Sequence, residues 1–267
     1  MQRRSYLSLL VIACFLQYAL SFRALGGHRP INMRYPQALH RASRTIETTW
    51  DTKPPMKVLL LVEPTPFNYV SGYANRFKEM LGYMKQAGDQ VRVVTPDSDP
   101  NPPTEFLGYP ITTPKGFALP IYKKVRLTFD FMGAIPKLIR SFKPNVVHVS
   151  SPSCILFPAI FWARWLEVPL VLSYHTDLVA YAKAYFPYFK NTASSVCQWL
   201  VKRCHSFADL TLCTSPQLRW ELQRIGVRRV DVWQKGINTE VPYLLLFALF
   251  QVLCCCPFQH HTEHILS

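Results

Sequence analysis

The sequence has few glycines, and none of them lies in a familiar phosphate-binding pattern. Only 10 glycines occur among 267 residues, and neither G-x-G-x-x-G nor G-x-x-x-x-G-K-[ST] is present. The sequence therefore lacks the main pattern that would indicate a nicotinamide-dependent enzyme or a P-loop enzyme. The pattern G-x-S-x-G is absent as well, and with it the sharp turn that presents the serine of an α/β-hydrolase.

The sequence also lacks cysteines at metal-binding spacing. Of eight cysteines, Cys14 lies near the start and the run Cys254–Cys256 near the end. The other four are Cys154, Cys197, Cys204 and Cys213. No C-x-x-C pair occurs, so we predict buried free thiols instead of a zinc site or a disulfide framework. A site built from the cysteine run and the histidines after it would lack a scaffold, and we predict no protein-bound metal.

Acidic residues are scarce: 16 stand against 30 basic ones, which gives a net charge of +14. Apolar residues make up 49% of the chain and aromatic residues 13%, enough for a packed core, which excludes a disordered protein. The basic excess favours anionic partners such as phosphates, acidic lipids or nucleic acid. Since no nucleic-acid-binding motif is recognisable, we expect no nucleic-acid partner.

The first 54 residues have the composition of targeting segments. In residues 1–21, Arg3 and Arg4 precede an apolar stretch from Leu7 to Leu20, which is typical of a signal peptide. Residues 22–54 indicate a transit peptide and linker, because five arginines and no acidic residue lie between Phe22 and Thr45. The two segments together resemble the bipartite plastid presequences of algae with secondary plastids and predict plastid (chloroplast) localisation. Simple secretion and a signal anchor remain the alternatives.

Residues 55–240 alternate short apolar runs with amphipathic stretches. The expected strands are Lys57–Glu63, Gln90–Thr95, Asn145–Val149, Leu170–Ser173, Asp209–Cys213 and Arg229–Trp233, with a short one near Ile111. The expected helices are Ala74–Ala87, Phe129–Phe142 with a break or kink at Pro136, Cys154–Leu166 and Pro216–Ile225, with further helical segments up to Phe207. This alternation predicts an α/β fold with a Rossmann-like parallel sheet.

Three polar loops follow the expected strands: residues 63–73, 148–153 and 174–177. In a parallel sheet of this kind the ligand site lies beyond the carboxyl ends of the strands. We therefore expect the three loops to converge on one candidate site.

Two features of these loops suit ligand binding. Ser71 and Gly72 precede a long helix, whose free N–H groups attract an anion such as phosphate; the alternative is a plain turn glycine. His175 at a strand exit can donate a hydrogen bond to a sugar hydroxyl or act as an acid or base near neutral pH. A structural histidine is the alternative.

Three other polar residues near the strand ends are weaker candidates. His148 lies one residue inside its expected strand, and it can equally be a structural histidine that caps the sheet. Glu63 either orients a substrate hydroxyl or pairs with a neighbouring arginine. Asp177 is equally suited to capping the next helix.

The stretch Val62–Phe77, VEPTPFNYVSGYANRF, closely resembles the first strand and loop of plant and algal sulfoquinovosyltransferases, which are retaining GT-B glycosyltransferases of family 4. Other stretches are similar to the same family in the same order. They are Phe142–Pro152, Val168–Thr176, Ala208–Leu212, Ser215–Pro216 and Trp233–Asn238. The resemblance thus runs from about residue 57 to residue 239.

The resemblance implies transfer of sulfoquinovose from UDP-sulfoquinovose to diacylglycerol, with the UDP-sugar as co-substrate and no other cofactor. It implies that His175 contacts the transferred sugar and that Ser71 and Gly72 face the donor phosphates. Possible substrate-binding residues, without assigned roles, are Glu63, Tyr69, Tyr73, Asn75, Arg76, His148 and Tyr174. A basic domain with exposed aromatic residues suits a diacylglycerol acceptor held at an anionic membrane surface.

The resemblance stops near Glu240, where residues 241–267 form an aberrant apolar tail. A GT-B enzyme has a second Rossmann-like domain that holds most of the donor, so we expect this chain to be the N-terminal domain with the second domain missing. A mispredicted gene model or retained intron, splicing and a membrane anchor are alternative origins of the tail. The alternative functions are an inactive lipid- or partner-binding truncation product, or a family 4 enzyme for another sugar or lipid.

Overall fold

A computed structural model describes residues 54–68, 71–118 and 125–233. The predicted signal peptide, all but the last residue of the predicted transit segment and linker, Tyr69 and the apolar tail lie outside these ranges. None of the helices in the described ranges is long and apolar enough to cross a membrane.

The described part of the chain forms a mostly parallel sheet. Its strands are β1 (Lys57–Leu61), β2 (Gln90–Val94), β3 (Glu105–Phe106), β4 (Tyr109–Thr112), β7 (Val146–Ser151), β8 (Leu170–Tyr174), β9 (Leu210–Cys213) and β10 (Val230–Val232). They lie in the order β10-β9-β8-β7-β1-β2-β4-β3, and only the β3–β4 pair is antiparallel. A separate antiparallel pair consists of β5 (Phe117–Ala118) and β6 (Arg126–Leu127). The predicted α/β, Rossmann-like sheet is confirmed, as is the short strand near Ile111.

Helices connect the parallel strands. They are α1 (Gly72–Gln86), α2 (Ala134–Phe142), α3 (Leu156–Trp165), α4 (Leu178–Tyr185), α5 (Lys190–His205) and α6 (Pro216–Arg224), with a 3₁₀ turn at Pro187–Phe189 between α4 and α5. Ser71 caps α1, and its Oγ accepts a hydrogen bond from the Ala74 N–H at 3.0 Å. Past its end, Gly88 has a positive φ of 72°, a conformation that glycine adopts without strain.

Two of the boundaries that differ from the expectation change the interpretation of a residue. Helix α2 begins at Ala134 instead of Phe129, so Pro136 falls in its first turn, where a missing N–H costs no helical hydrogen bond and causes no break. Strand β7 continues to Ser151 instead of ending at Val149. His148 therefore lies in the middle of its strand and not one residue from its end.

The core has two layers that meet at β1. Leu59 and Leu61 belong to one apolar cluster, packed with residues of α2 and α3, while Val58 and Leu60 belong to a second cluster with residues of α1. Both faces of the strand are buried, as its continuous apolar run predicts. The Cys197 and Cys213 thiols are free and buried, which confirms the expectation for these two cysteines.

The strand order fixes where a ligand crevice can lie. From β1 the chain runs outward to β2 on one side and later returns to β7 on the other side. Connections leave in opposite directions at this point, which opens a crevice at the carboxyl ends of β1 and β7.

Candidate functional site

The loops after β1 and β7 are joined at the crevice. The Glu63 N–H donates to Ser150 Oγ at 2.9 Å, and the same hydroxyl donates to the Glu63 carbonyl oxygen at 3.1 Å. One serine therefore fixes the first residues beyond β1 against the end of β7. The expected convergence of these two loops is present.

The carboxyl group of Glu63 accepts hydrogen bonds from the backbone of two other chain segments. It is 1% exposed, and its two oxygens accept hydrogen bonds from the Thr128 N–H at 2.6 Å and the Ile155 N–H at 2.8 Å. Burial raises the pKa of Glu63 to about 8, while the backbone hydrogen bonds act in the opposite direction. This structural role differs from both the substrate contact and the arginine pair that the sequence suggested.

Two histidines pack against aromatic residues on the side of the crevice formed by α1. The His175 ring centre lies 5.1 Å from those of Tyr73 and Phe77 and 5.5 Å from that of Trp233. The His148 ring centre lies 6.1 Å from that of Phe77 and 5.8 Å from that of Trp233. We call these five residues the histidine cluster. It unites α1, β7, the exit of β8 and the end of β10.

His175 is held in a neutral form. Its Nε2 lies 3.0 Å from Ser173 Oγ, and its backbone N–H donates to the Ser151 carbonyl oxygen at 3.0 Å. Burial is the main cause that lowers the pKa of His175 to about 3, and the nearby His148 and Arg76 contribute to the same shift. A neutral imidazole suits a hydrogen bond to a hydroxyl group, and the low pKa argues against acid–base work near neutral pH.

His148 contributes a buried nitrogen without a partner. The residue is 5% exposed, and its Nε2 makes no hydrogen bond with any described residue. Burial lowers the pKa of His148 to about 4, so the ring is neutral at pH 7. A buried polar atom without a hydrogen bond costs stability, and sites that bind ligands tolerate such a cost.

Arg76 fixes the position of Trp233. Its Nη1 donates to the Trp233 carbonyl oxygen at 2.6 Å, and its guanidinium carbon lies 5.2 Å from the centre of the Trp233 ring. Burial lowers the pKa of Arg76, but a guanidinium remains charged at neutral pH. The arginine thus brings a positive charge to the edge of the histidine cluster.

Among the described residues, Gly72 has free space around it at the amino end of α1. Apart from its chain neighbours and the backbone of its own helix, a Cβ added to Gly72 would meet no atom of the described residues within 4 Å. Packing among the described residues therefore does not require a glycine here. The Ser71 hydroxyl is engaged as the helix cap, and Asn75 is exposed with its N–H donating to the Ser71 carbonyl oxygen. The position remains suited to the close approach of an anion.

The side chains of Tyr174 and Asp177 accept hydrogen bonds from backbone N–H groups at the start of α4. The Tyr174 hydroxyl accepts a hydrogen bond from the Leu178 N–H at 2.8 Å, and burial raises the pKa of this tyrosine. Its ring belongs to a separate apolar cluster with Val201 and Leu222. Asp177 caps α4 by accepting from two N–H groups at 3.0 Å, which confirms the capping alternative.

Sequence reasoning missed Phe77 and Trp233 as members of the site. Phe77 was an apolar position on the buried face of a helix, and Trp233 was the last residue of an expected strand. The pattern of apolar residues indicates burial for Phe77 but not its contact with two histidines. Trp233 begins one of the stretches that resemble the sulfoquinovosyltransferases, which is the signal that was available.

Comparisons with known proteins agree with the motif resemblance. The family described as Glycosyltransferase Family 4 matches residues 70–241. The sulfoquinovosyl transferase SQD2 of Arabidopsis thaliana is 37% identical over 190 residues, which are 70% of this chain and 36% of that protein. A GDP-mannose-dependent alpha-mannosyltransferase of Mycobacterium tuberculosis is 26% identical over 186 residues, which are 64% of this chain and 45% of that protein. The chain thus spans less than half the length of these two relatives.

Solved structures with a similar backbone include other glycosyltransferases. One from Rickettsia africae has a TM-score of 0.43 and 14% identity, and the match covers 74% of this chain and 49% of that one. A UDP-glucosyltransferase from Polygonum tinctorium has a TM-score of 0.42 and 13% identity, with 75% and 56% covered. The family model matches residues 70–241, and a relative is 37% identical over 70% of this chain. The chain therefore belongs to Glycosyltransferase Family 4.

Proposed function

We propose that this domain supplies the acceptor side of a transferase that moves sulfoquinovose from UDP-sulfoquinovose to diacylglycerol. The observation that carries the proposal is the gathering of His148, His175 and Arg76 around Trp233, at the carboxyl edge of a parallel sheet. The 37% identity to a sulfoquinovosyl transferase supports the choice of sugar.

The chemistry follows from the charge state of each group. Neutral His175, oriented through Ser173, hydrogen-bonds a hydroxyl of the transferred sugar. The open amino end of α1 at Gly72 faces the donor diphosphate and stabilises the negative charge that grows as UDP leaves. Because no side chain of the histidine cluster is a carboxylate, attack by the acceptor on the face from which UDP departs, with retention of configuration, fits better than a covalent glycosyl-enzyme.

A transfer assay with matched variants tests the proposal. We expect the protein expressed from its full-length transcript to transfer sulfoquinovose to diacylglycerol, and His175→Gln to lower the rate at least about 100-fold. Trp220→Ser on the exposed face of α6 is the control and should leave the rate unchanged. Equal rates for His175→Gln and the unmodified protein would remove His175 from the mechanism.

A second candidate is transfer of mannose from GDP-mannose. The 26% identity to a GDP-mannose-dependent enzyme favours it. Running the same assay with GDP-mannose in place of UDP-sulfoquinovose separates the two candidates. Product with GDP-mannose alone would replace the sulfolipid assignment but leave the role of His175 unchanged.

Plastid delivery and the identity of residues 241–267 form a further part of the proposal. Residues 1–54 fused to a fluorescent protein should direct it to the plastid, and retention in the secretory pathway would contradict this. A transcript read across the codons for residues 236–241 tests the tail. A frame continuing into a second Rossmann-like domain would identify the tail as an artefact, while a message ending after Ser267 would favour an inactive binding module.

A further inference from the structure

The segment between the candidate site and β9 contains no acidic residue. From Asp177 to Asp209 the sequence has no other aspartate or glutamate, whereas four basic residues occur there. The basic residues are Lys183, Lys190, Lys202 and Arg203. The segment comprises α4, the 3₁₀ turn and α5.

Large aromatic side chains are exposed where α4 meets α5. Tyr188 is 87% exposed and Phe189 is 72% exposed, and both lie in the turn that joins the two helices. Tyr181 and Tyr185 on α4 are also exposed, with ring centres 6.0 Å apart and nearly parallel. Lys190 follows at the start of α5 and is exposed. We call these five residues the aromatic ridge.

The domain core does not need the aromatic ridge. Helices α4 and α5 bury Ala182, Ser194, Cys197 and Leu200. The four rings of the ridge are 52–87% exposed, and adjoining exposed apolar residues mark a surface for a partner. Tyrosine and lysine together are typical of the boundary between water and a bilayer.

The helix that carries two of the ridge tyrosines starts beside the candidate site. Helix α4 begins at Leu178, three residues after His175, and its cap Asp177 directly extends the loop that leaves β8. A flat partner that covers the ridge would therefore contact the helix that leads directly from the candidate site.

We infer that the aromatic ridge docks on the surface of an anionic lipid bilayer. The tyrosine and phenylalanine rings enter the headgroup region, and Lys190 faces lipid phosphates. The absence of carboxylates over Leu178–Ala208 removes the repulsion that an acidic surface would meet. The inference goes beyond the proposed function, because it names the docking surface, and it holds for any donor sugar.

Hydrogen–deuterium exchange on the full chain locates the contact. With vesicles of phosphatidylcholine and phosphatidylglycerol, and with no sugar donor present, we expect slower exchange in residues 178–192. Exchange in α6 should not change. Because the readout is resolved along the sequence, binding by residues outside the described ranges does not confuse it. Unchanged exchange over residues 178–192 would overturn the inference.

A matched pair of variants tests the side chains. We expect Tyr188→Ser/Phe189→Ser to lower the vesicle partition coefficient at least about tenfold and to abolish the protection of residues 178–192. Tyr83→Ser/Trp220→Ser removes two aromatic residues that are 52% and 59% exposed on α1 and α6, and it should retain that protection. Equal effects of the two variants would contradict the assignment.

Two outcomes identify a different partner. Protection of residues 178–192 that grows with protein concentration, without vesicles, would assign the aromatic ridge to a second copy of the chain and overturn the inference. Loss of sugar transfer with intact vesicle protection would count against the proposed function alone.

Discussion

The Arg76 guanidinium donates a hydrogen bond of 2.6 Å to the carbonyl oxygen of Trp233, a residue 157 positions further along the chain. The same guanidinium lies over the indole ring of Trp233. One side chain of α1 therefore holds both the backbone and the ring of the residue that closes the histidine cluster.

Replacing this arginine should cost more than the loss of a surface charge. We expect Arg76→Met to lower the free energy of unfolding by about 1–3 kcal/mol, because a charged hydrogen bond and a cation–π contact are lost together. Arg224→Met is the matched control, since Arg224 also lies over a tryptophan, the exposed Trp220, at 5.0 Å. Denaturant unfolding should show a smaller loss for Arg224→Met, and equal losses would contradict the role of the carbonyl contact.

Gly72→Ala should separate ligand binding from stability. A Cβ meets no atom of the described residues there beyond its chain neighbours and its own helix, and alanine is the better helix former. The free energy of unfolding should therefore stay the same or rise by up to about 1 kcal/mol. Affinity for the UDP-sugar, measured by calorimetry, should fall at least about tenfold, because the methyl group occupies the space in which the diphosphate approaches. Gly82→Ala in the same helix, also with no neighbour within 4 Å, should leave affinity unchanged. Unaltered affinity in Gly72→Ala would exclude phosphate contact at this position.

Glu63→Gln should destabilise the domain. Both carboxyl oxygens accept backbone N–H groups, and an amide places its own N–H₂ opposite one of these donors. We expect the free energy of unfolding to fall by about 1–3 kcal/mol. Glu79→Gln, at an exposed position of α1, should change it by less than about 0.5 kcal/mol. Chemical denaturation of both variants measures the difference, which should vanish if the buried hydrogen bonds contribute nothing.

Acid should weaken the fold through its buried histidines. His205 lies between Ser151 Oγ at 3.1 Å and Thr211 Oγ1 at 3.0 Å, and burial lowers its pKa to about 3. Below the ordinary histidine pKa of about 6.5 the unfolded chain binds a proton that the folded chain does not. The stabilisation by neutral His205 is therefore complete above about pH 6.5 and is lost as the pH falls towards 3.

His205→Gln isolates this contribution. Glutamine cannot take up the proton, so the fall in unfolding free energy between about pH 6.5 and pH 4 should be shallower by about 1.4 kcal/mol per pH unit than in the unmodified protein. Denaturant titrations at several pH values provide the measurement. Identical slopes in the two proteins would show that His205 is not buried in its neutral form.

The elements that sequence reasoning predicted well are those whose burial is visible in the sequence itself. The run KVLLL at Lys57–Leu61 is apolar on both faces and forms the central strand. Residues 96–118 are rich in proline and contain no such apolar run, and the β3–β4 pair at the sheet edge was only partly foreseen. A kink was expected at Pro136 because the predicted helix began too early. A proline disturbs the interior of a helix but not its first turn, and the sequence pattern did not define where this helix begins.

The site was predictable where it depends on strand ends and not where it depends on contacts across the fold. His175 follows from its position after β8. The meeting of Phe77, His148 and Trp233 depends on which strands are neighbours and on which side of the sheet α1 packs. For Glu63 the sequence suggested a contact with a substrate hydroxyl or with an arginine. The N–H groups that it binds belong to loops far away in the sequence, and no local sequence pattern shows that these loops come close to it.

The hydrogen bonds of the Glu63 carboxyl group favour the native arrangement of the chain over misfolded ones. Its partners lie 65 and 92 residues away along the chain, so its oxygens are satisfied only when three separate segments have all arrived at their native positions. A collapsed chain with one of these loops misplaced would bury a carboxyl group lacking donors, at a cost of several kcal/mol. The residue therefore widens the energy gap between the native arrangement and compact alternatives of similar hydrophobic burial. Selection for reliable assembly would preserve an acidic residue at this position even in a relative that transfers a different sugar.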